Sequence, residues 1–266
     1  MTNAAEIEPG LVLQGISSSL RLRDFKLIAF DMDSTLINIE CVDEIADAAG
    51  RKAEVAAITE AAMRGEIADY KESLRQRVAL LKGVTVAHME EVYTRRLQLN
   101  PGAAELVAAC KAAGLKVLLV SGGFTFFTDR IRDRLGIDFA RSNVLEVESG
   151  PNCGDSDSTG RPENDCTPMG GQAQPGLGAI LTGRMVDQPW GDICDGNEKR
   201  RTLLEVTTLL GIEPAQTIAM GDGANDLPMM GVAGLSVAYH AKPAVREKAN
   251  VAINSGGLDR LLTVLR

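Results

Sequence analysis

"LIAFDMDSTLINIECVDEIADAAG", residues Leu27 to Gly50, decides how the rest of the chain reads. Four apolar residues run straight into Asp31 and Asp33, with Ser34 and Thr35 behind them. Side chains two apart on a strand point the same way, so the two carboxylates can converge just past the strand end. Such a pair repels and desolvates badly unless something offsets the cost. Taken alone, Asp-x-Asp serves equally well as a helix cap or turn, where Asp and Ser are common.

A second stretch shifts that balance. "TIAMGDGANDLPM", Thr217 to Met229, repeats the plan: an apolar run ends in the glycine-flanked Asp222, with Asn225 and Asp226 close behind. In a parallel sheet both strand ends lie on one edge, so three or more carboxylates would meet there, which calls for a cation. Hard divalent ions held by oxygen relieve such repulsion, and Mg²⁺ takes one or two protein carboxylates and completes its shell with water and phosphate. Neither His88 nor His240 lies in these motifs, nor does any cysteine, which disfavours zinc.

Two further segments add anion-binding chemistry. In "LKVLLVSGGFTFF", Leu115 to Phe127, Ser121, Gly122 and Gly123 stand between a strand and a helix. A hydroxyl, close backbone approach and a helix start suit a phosphate, although Ser-Gly-Gly also makes an ordinary turn. "NEKRRTLLEV", Asn197 to Val206, places Lys199 at a helix start, where a cation sits badly with the helix dipole. On that segment alone a solvated lysine is the favoured reading.

The apolar runs Lys26–Phe30, Leu115–Val120, Thr217–Met220, Leu235–Tyr239 and Val251–Asn254 are apolar on both faces, as in strands of a helix-covered parallel sheet. Helical patterns alternate with them near Thr125–Leu135, Asn197–Leu210, Leu227–Val232, Pro243–Lys248 and Leu258–Leu265. "NPGAAELVAACKAAG" carries the Pro-first, Gly-last punctuation of a helix. The pattern predicts an α/β, doubly wound, Rossmann-like parallel sheet. From Val42 to Leu99 only helical periodicity is visible, as in "GEIADYKESLRQRVALLKG", which predicts a small helical-bundle cap inserted after the first strand. The expected division is an N-terminal extension over 1–25, a core over 26–41 and 100–266, and a cap over 42–99. "VLEVE" and "LTGRMVD" read as hairpin arms around a Gly-, Pro- and Asp-rich surface loop, Gly150–Gly178.

Composition bounds the possible classes and leaves an anionic small molecule open as a partner. The chain has 266 residues, 45% of them hydrophobic, enough for a substantial core. No apolar run approaches the ~18–20 residues of a membrane span, and the start lacks a secretory pattern, so a soluble, cytoplasmic protein is expected. A net charge of −8 without a basic cluster argues against nucleic acid. The five cysteines, Cys41, Cys110, Cys153, Cys166 and Cys194, lack Cys-x-x-Cys spacing and are expected as free thiols.

Carboxylates, a metal, a hydroxyl and an ammonium converging on one edge are equipment for phosphoryl transfer, where catalysis is chiefly positioning and charge neutralisation. Asp31 is the candidate nucleophile, since a carboxylate with a reference pKa of about 3.9 needs no base. Asp33, protonated beside its ionised neighbour, can protonate the leaving alkoxide and then serve as base toward water.

"DMDST", "SGG", Lys199 and "GDGAND" occur in the order seen in the haloacid dehalogenase-like hydrolase superfamily. Together with "DMDSTLINIECVDEIA", "RGEIADYKESLRQRVALLKG" and "AGLSVAYHAKP", they make the chain resemble the phosphoserine phosphatase family within it from about Lys26 to the C-terminus, apart from the Gly150–Gly178 insertion. That resemblance implies hydrolysis of O-phospho-L-serine through an aspartyl-phosphate on Asp31. It implies Mg²⁺ held by the Asp31 carboxylate, the Asp33 carbonyl and Asp222. Ser121, Gly122 and Lys199 are implied to hold the phosphate, with Asn225 near it and Asp226 orienting Lys199. Glu40 and Arg77 are implied to read the ammonium and carboxylate of the substrate, between walls supplied by Met63 and Tyr70.

Spacing puts Arg77 on the apolar face with Tyr70, Leu74 and Leu81, where a guanidinium either snorkels, the commoner fate, or meets an anion. Glu40 reads without the resemblance as a solvated hinge residue. The family usually carries phenylalanine where Tyr70 stands and a short turn where the long loop stands. Other readings are a phosphotransferase passing the phosphoryl group to an alcohol such as homoserine, a related small-metabolite phosphatase, and a non-catalytic signalling protein. The last predicts loss of Asp33 or Lys199, and both are present.

Overall fold

A computed structural model describes residues 4–16, 20–63, 69–149 and 176–266, and for 60, 62 and 63 the backbone alone. Its strands are β1 (Ala4–Glu8), β2 (Leu11–Gln14), β3 (Leu27–Phe30), β4 (Lys116–Phe124), β5 (Phe139–Glu148), β6 (Ile180–Val186), β7 (Thr217–Gly221), β8 (Leu235–Tyr239) and β9 (Val251–Ile253). Its helices are α1 (Cys41–Ala48), α2 (Lys52–Met63), α3 (Tyr70–Ala79), α4 (Val86–Arg95), α5 (Ala103–Ala112), α6 (Thr125–Leu135), α7 (Gly196–Leu210), α8 (Leu227–Met230), α9 (Pro243–Arg246) and α10 (Leu261–Val264). The chain forms two compact units, Met1–Cys41 with Arg96–Val144 and Asp187–Arg266, and Val42–Arg95 with Leu145–Val186.

In the first unit the strands run in the order β1-β2-β9-β8-β7-β3-β4-β5. β3 lies parallel between β4 and β7, pairing Ala29 with both Leu118 and Ala219. From β3 the chain winds outward through β4 and β5, then returns to build β7, β8 and β9 on the other side. β3 and β7 therefore flank the point where the winding reverses, the place where open α/β sheets bind ligands. The doubly wound sheet read from the sequence is the fold observed. Its strands are apolar on both faces because helices cover them: Leu27, Ala29, Leu118, Val120 and Ala219 share a buried cluster with Leu203 and Val206 of α7 and Met229 and Met230 of α8.

Two elements differ from the sequence reading. Within the expected N-terminal extension, residues 4–14 join the sheet. β1 and β2 form an antiparallel hairpin, and β2 adds antiparallel to β9 with Leu11 opposite Ile253. Leu11 is fully buried, which anchors the added strand.

The second unit holds helices α1 to α4, but the described residues 145–149 and 176–186, expected in the core, group with them. The reason lies in the backbone. Gly83 and Leu181 pair through Gly83 N–H to Leu181 O (2.8 Å) and Leu181 N–H to Val84 O (2.8 Å), and Val86 N–H reaches Ala179 O (2.9 Å). The segment after α3 thus behaves as a strand partner of β6. The expected loop Gly150–Gly178 lies outside the described residues as far as 175, as do Cys153 and Cys166. Cys41, Cys110 and Cys194 are free and buried. Among the described residues no helix is long and apolar enough to cross a membrane.

Candidate active site

Three parallel strands deliver the site's side chains to one edge. Asp31 immediately follows β3, and its N–H still bonds to Met220 O of β7 at 3.0 Å. The chain then turns tightly through Met32–Leu36, with Ser34 in the left-handed region at φ +56°. That is uncommon for a residue with a Cβ, and such strain concentrates at functional turns. Ser34 Oγ donates to Glu40 Oε1 at 2.6 Å, which ties Glu40 to the turn.

At the centre lies Lys199, on the first turns of α7 and 0% exposed. Its ammonium bridges Asp31 Oδ1 and Asp226 Oδ1, each at 2.7 Å. The solvated lysine that the segment alone favours is not what the fold holds. Burial favours the neutral amine, yet the charges and hydrogen bonds of Asp226 and Asp31 outweigh it and hold the ammonium well above its ordinary value. Asp226 Oδ2 accepts from the N–H groups of Asp222 (3.2 Å) and Gly223 (3.0 Å). This close approach needs Gly221, because a Cβ there would sit 2.3 Å from Asp226 Cγ.

The carboxylates crowd one another. One oxygen each from Asp31, Asp222 and Asp226 lies within 4.8 Å of the others. Burial pushes Asp31 well up, with Asp226 and Asp222 adding to it and Lys199 opposing. Asp222 is pushed up to about 7 by burial, then by Asp226 and Glu40. Asp226 has both oxygens engaged by Lys199 and by backbone amides. Asp31 Oδ1 takes Lys199 and the Met32 N–H (2.7 Å). Among the described residues, this arrangement leaves to a cation Asp31 Oδ2 and the Asp222 carboxylate, which takes only a weak bond from Thr35 Oγ1 at 3.4 Å. An all-oxygen donor set short of positive charge fits a hard divalent ion.

Asp33 accepts from Cys41 twice, from its N–H at Oδ2 (3.2 Å) and from its thiol at Oδ1 (3.1 Å). Burial, then the charge of Glu40, push the Asp33 carboxyl up to about 7. Cys41 is a partner that sequence reasoning missed, and it stands next to Glu40, a residue singled out for another reason. In β4, Ser121 Oγ accepts the Gly123 N–H at 2.9 Å, and Ser121 is fully buried. A Cβ on Gly123 would lie 3.3 Å from Asp33 Oδ2 and 3.1 Å from Ser121 Oγ, so the glycine lets the two strand ends close up. Asn225 follows Asp222 on the turn that leads to Asp226.

The first unit therefore brings together Asp31, Asp33, Glu40, Ser121, Gly122, Lys199, Asp222, Asn225 and Asp226. The remaining predicted residues belong to the helical unit. Tyr70 opens α3 and is half-buried. Met63 ends α2, and its side chain lies outside what is described. Arg77 sits in the last turn of α3, and its buried Nε has no hydrogen-bond partner among the described residues. Asp43 Oδ1, on α1 of the same unit, is in the same condition, and the Arg77 charge partly offsets the upward push of burial on that carboxyl.

Profiles described as haloacid dehalogenase-like hydrolase match residues 25–164 and 193–257. The phosphoserine phosphatase of Polaromonas sp. is 71% identical over 261 residues, 98% of either chain, and that of Albidiferax ferrireducens is 68% identical over 260, again 98% of either chain. Among solved structures, a substrate-bound phosphoserine phosphatase superposes with a TM-score of 0.73 at 35% identity, covering 91% of this chain and 99% of its own. A phospho-aspartyl intermediate analogue of a phosphoserine phosphatase superposes with the same score, identity and coverage.

Proposed function

This chain belongs to the haloacid dehalogenase-like hydrolases, in their phosphoserine phosphatase family, and from that membership we propose that it hydrolyses O-phospho-L-serine to L-serine and phosphate through an aspartyl-phosphate on Asp31. The observation that carries the chemistry is the fully buried Lys199 shared between Asp31 and Asp226 at 2.7 Å each. An ammonium so placed holds the nucleophile in position and offers charge to an incoming phosphoryl oxygen.

An oxygen of Asp31 attacks phosphorus, and the bond from phosphorus to the seryl oxygen breaks. Asp33 gives its proton to that oxygen as serine leaves. Asp33, now a carboxylate, takes a proton from water as the water oxygen attacks the aspartyl-phosphate, which returns Asp31 and releases phosphate. A carboxyl pushed up to about 7 supports both tasks, because at neutral pH both of its forms are available. The two Cys41 donors fix its orientation.

Ser121, the Gly122 amide, Lys199 and Asn225 bind the phosphoryl oxygens in this reading, and Asp226 orients Lys199. Asp31, the Asp33 carbonyl and Asp222 would hold Mg²⁺, which when bound neutralises the acidic cluster and the phosphoryl group. Glu40 takes the substrate ammonium and Arg77 its carboxylate, beside Met63 and Tyr70. Support for Arg77 comes from its buried Nε, which has no hydrogen-bond partner among the described residues and is a donor that a carboxylate would satisfy. A cytoplasmic location, with neither nucleic acid nor membrane as partner, accompanies this reading.

A phosphate-release screen across phosphorylated metabolites, with and without Mg²⁺, tests it. Phosphoserine should be preferred and release should need the ion. A preference for a different metabolite would overturn the substrate, and phosphohomoserine formed from phosphoserine plus homoserine would replace water as acceptor.

A further inference from the structure

The two segments assigned to the phosphate are far apart in sequence, and a side chain outside all the motifs joins them. β4 and β5 pair in register through Leu118–Phe139, Leu119–Ala140 and Val120–Arg141, and the next pair is Phe124–Asn143. Ser121, Gly122 and Gly123 therefore bulge out of the ladder opposite the single residue Ser142. A bulge leaves backbone groups without their ladder partners. Asn143, 1% exposed, supplies one: its Nδ2 donates to Gly122 O at 2.7 Å. Its Oδ1 accepts the Cys194 N–H at 2.8 Å. Cys194 immediately precedes Asp195, whose side chain caps α7 by accepting the Glu198 N–H at 2.8 Å.

Arg141, on the same face of β5, makes the second tie. Its guanidinium reaches Glu198 Oε1 at 2.6 Å and Glu205 Oε2 at 2.8 Å. Arg201 holds the other oxygen of Glu198 at 2.6 Å. At the start of α7, Gly196 lies so close to Asn225 O that a Cβ would stand 2.7 Å away. The turn carrying Lys199 is thus tied to β5 twice, through Cys194 to Asn143 and through Glu198 to Arg141.

We propose that Asn143 is a positioning residue that locks the Gly122 loop to the start of the Lys199 helix, so that two separate segments act as one preorganised phosphate cradle. This rests on the assignment of Ser121, Gly122 and Lys199 to the phosphoryl group. Preorganised donors stabilise developing charge without reorganising during reaction, so a loosened tie should tell on phosphate affinity and turnover together.

The test compares Asn143→Ala and Asn143→Asp with Ser142→Ala, in the full chain with Mg²⁺. Ser142 is the neighbour on the opposite face of β5, buried and hydrogen-bonded to Thr128 at 2.7 Å, and serves as a structural control. Inorganic phosphate binding is measured directly by calorimetry, and kcat and KM with phosphoserine, all well below each melting temperature. For Asn143→Ala, phosphate affinity should fall about tenfold and kcat about ten- to hundredfold, from two lost hydrogen bonds. Asn143→Asp keeps the acceptor for Cys194 but turns an oxygen toward Gly122 O, and should lose phosphate affinity likewise. Ser142→Ala should lower the melting temperature with phosphate affinity and kcat within about twofold of the parent, the range of an intact cradle.

Either Asn143 variant, folded and within twofold of the parent in both readouts, overturns the proposal. So does an equal loss in Ser142→Ala. If Asn143→Ala fails to fold, Asn143→Asp decides. Failure of the functional reading shows separately, as absence of phosphoserine turnover by the unsubstituted chain.

Discussion

Removing a carboxylate from the site should make the metal-free protein more stable, and Asp222→Asn is the variant that shows it. Burial, then Asp226 and Glu40, push this carboxyl from 3.8 up to about 7. At about 1.4 kcal/mol per pH unit, that interval makes the charged form cost the fold up to about 4 kcal/mol at pH 8, a ceiling because the group is partly open to solvent. The sign follows from proton counting. A carboxyl with a raised folded value binds more protons folded than unfolded between about pH 4 and 7, so stability falls as pH rises through that window and levels off above it. Below about pH 4 the penalty vanishes, and at pH 5 it is under about 2 kcal/mol.

Asparagine keeps the shape and can still accept the weak bond from Thr35 Oγ (3.4 Å). In chelator at pH 8, Asp222→Asn should therefore melt above the parent by up to roughly 8–16 °C, from about 2–4 °C per kcal/mol for a chain of this size. The gain should shrink steadily toward pH 5. Mg²⁺ should raise the melting temperature of the parent and leave the variant unmoved. Thermal scans over pH, with chelator and with Mg²⁺, read all of this. A variant that melts at or below the parent in chelator at pH 8, or a gain that does not shrink on acidification, would refute the reasoning. Stability gained while activity is lost is the expected trade at a site that stores repulsion.

Other consequences are open to simple assays. Protons and metal compete for the same carboxylates, so the Mg²⁺ concentration giving half-maximal phosphate release should rise as pH falls from 8 to 6, and a pH-independent value would contradict the raised Asp222. Arg77→Ala should lower kcat/KM for phosphoserine at least about a hundredfold while changing p-nitrophenyl phosphate hydrolysis only a few-fold, the loss expected for a charge-assisted carboxylate contact. Equal losses on both substrates would remove its specificity role. Leu11→Ala, in the strand added to β9, should cost about 2–4 kcal/mol in urea denaturation, and a loss under about 1 kcal/mol would show that the hairpin is loosely held.

Much of the site was legible because its residues interrupt apolar runs. β3, β4 and β7 announce themselves as short hydrophobic stretches ending in glycine, serine or aspartate, and parallel pairing sends those ends to one edge. The N-terminal hairpin was not legible, because every residue of β1 is exposed and no alternating pattern survives in "AAEIE". Only Pro9-Gly10 between the two strands hints at a turn. The first half of β5 hides for a related reason. "FARSN" is too polar to read as a strand, yet it carries Arg141 and Asn143, whose partners lie on β4 and around the start of α7. Lys199 misleads in the opposite way. Its local sequence fits a solvated helix start, and only Asp31 and Asp226, far away in the chain, explain its burial. The placement of β6 beside residues 83–86 is likewise a matter of backbone pairing across distance, which no local propensity records.

Acid quenching of the Mg²⁺-loaded protein during turnover of radiolabelled phosphoserine, followed by peptide mapping, tests most directly whether a side chain of this chain takes up the phosphoryl group. The label should be stable in acid, released by hydroxylamine, dependent on Mg²⁺ and confined to Asp31, with none in Asp31→Asn. Label on any other side chain, or steady turnover by Asp31→Asn, would contradict the nucleophile on which the proposed function depends.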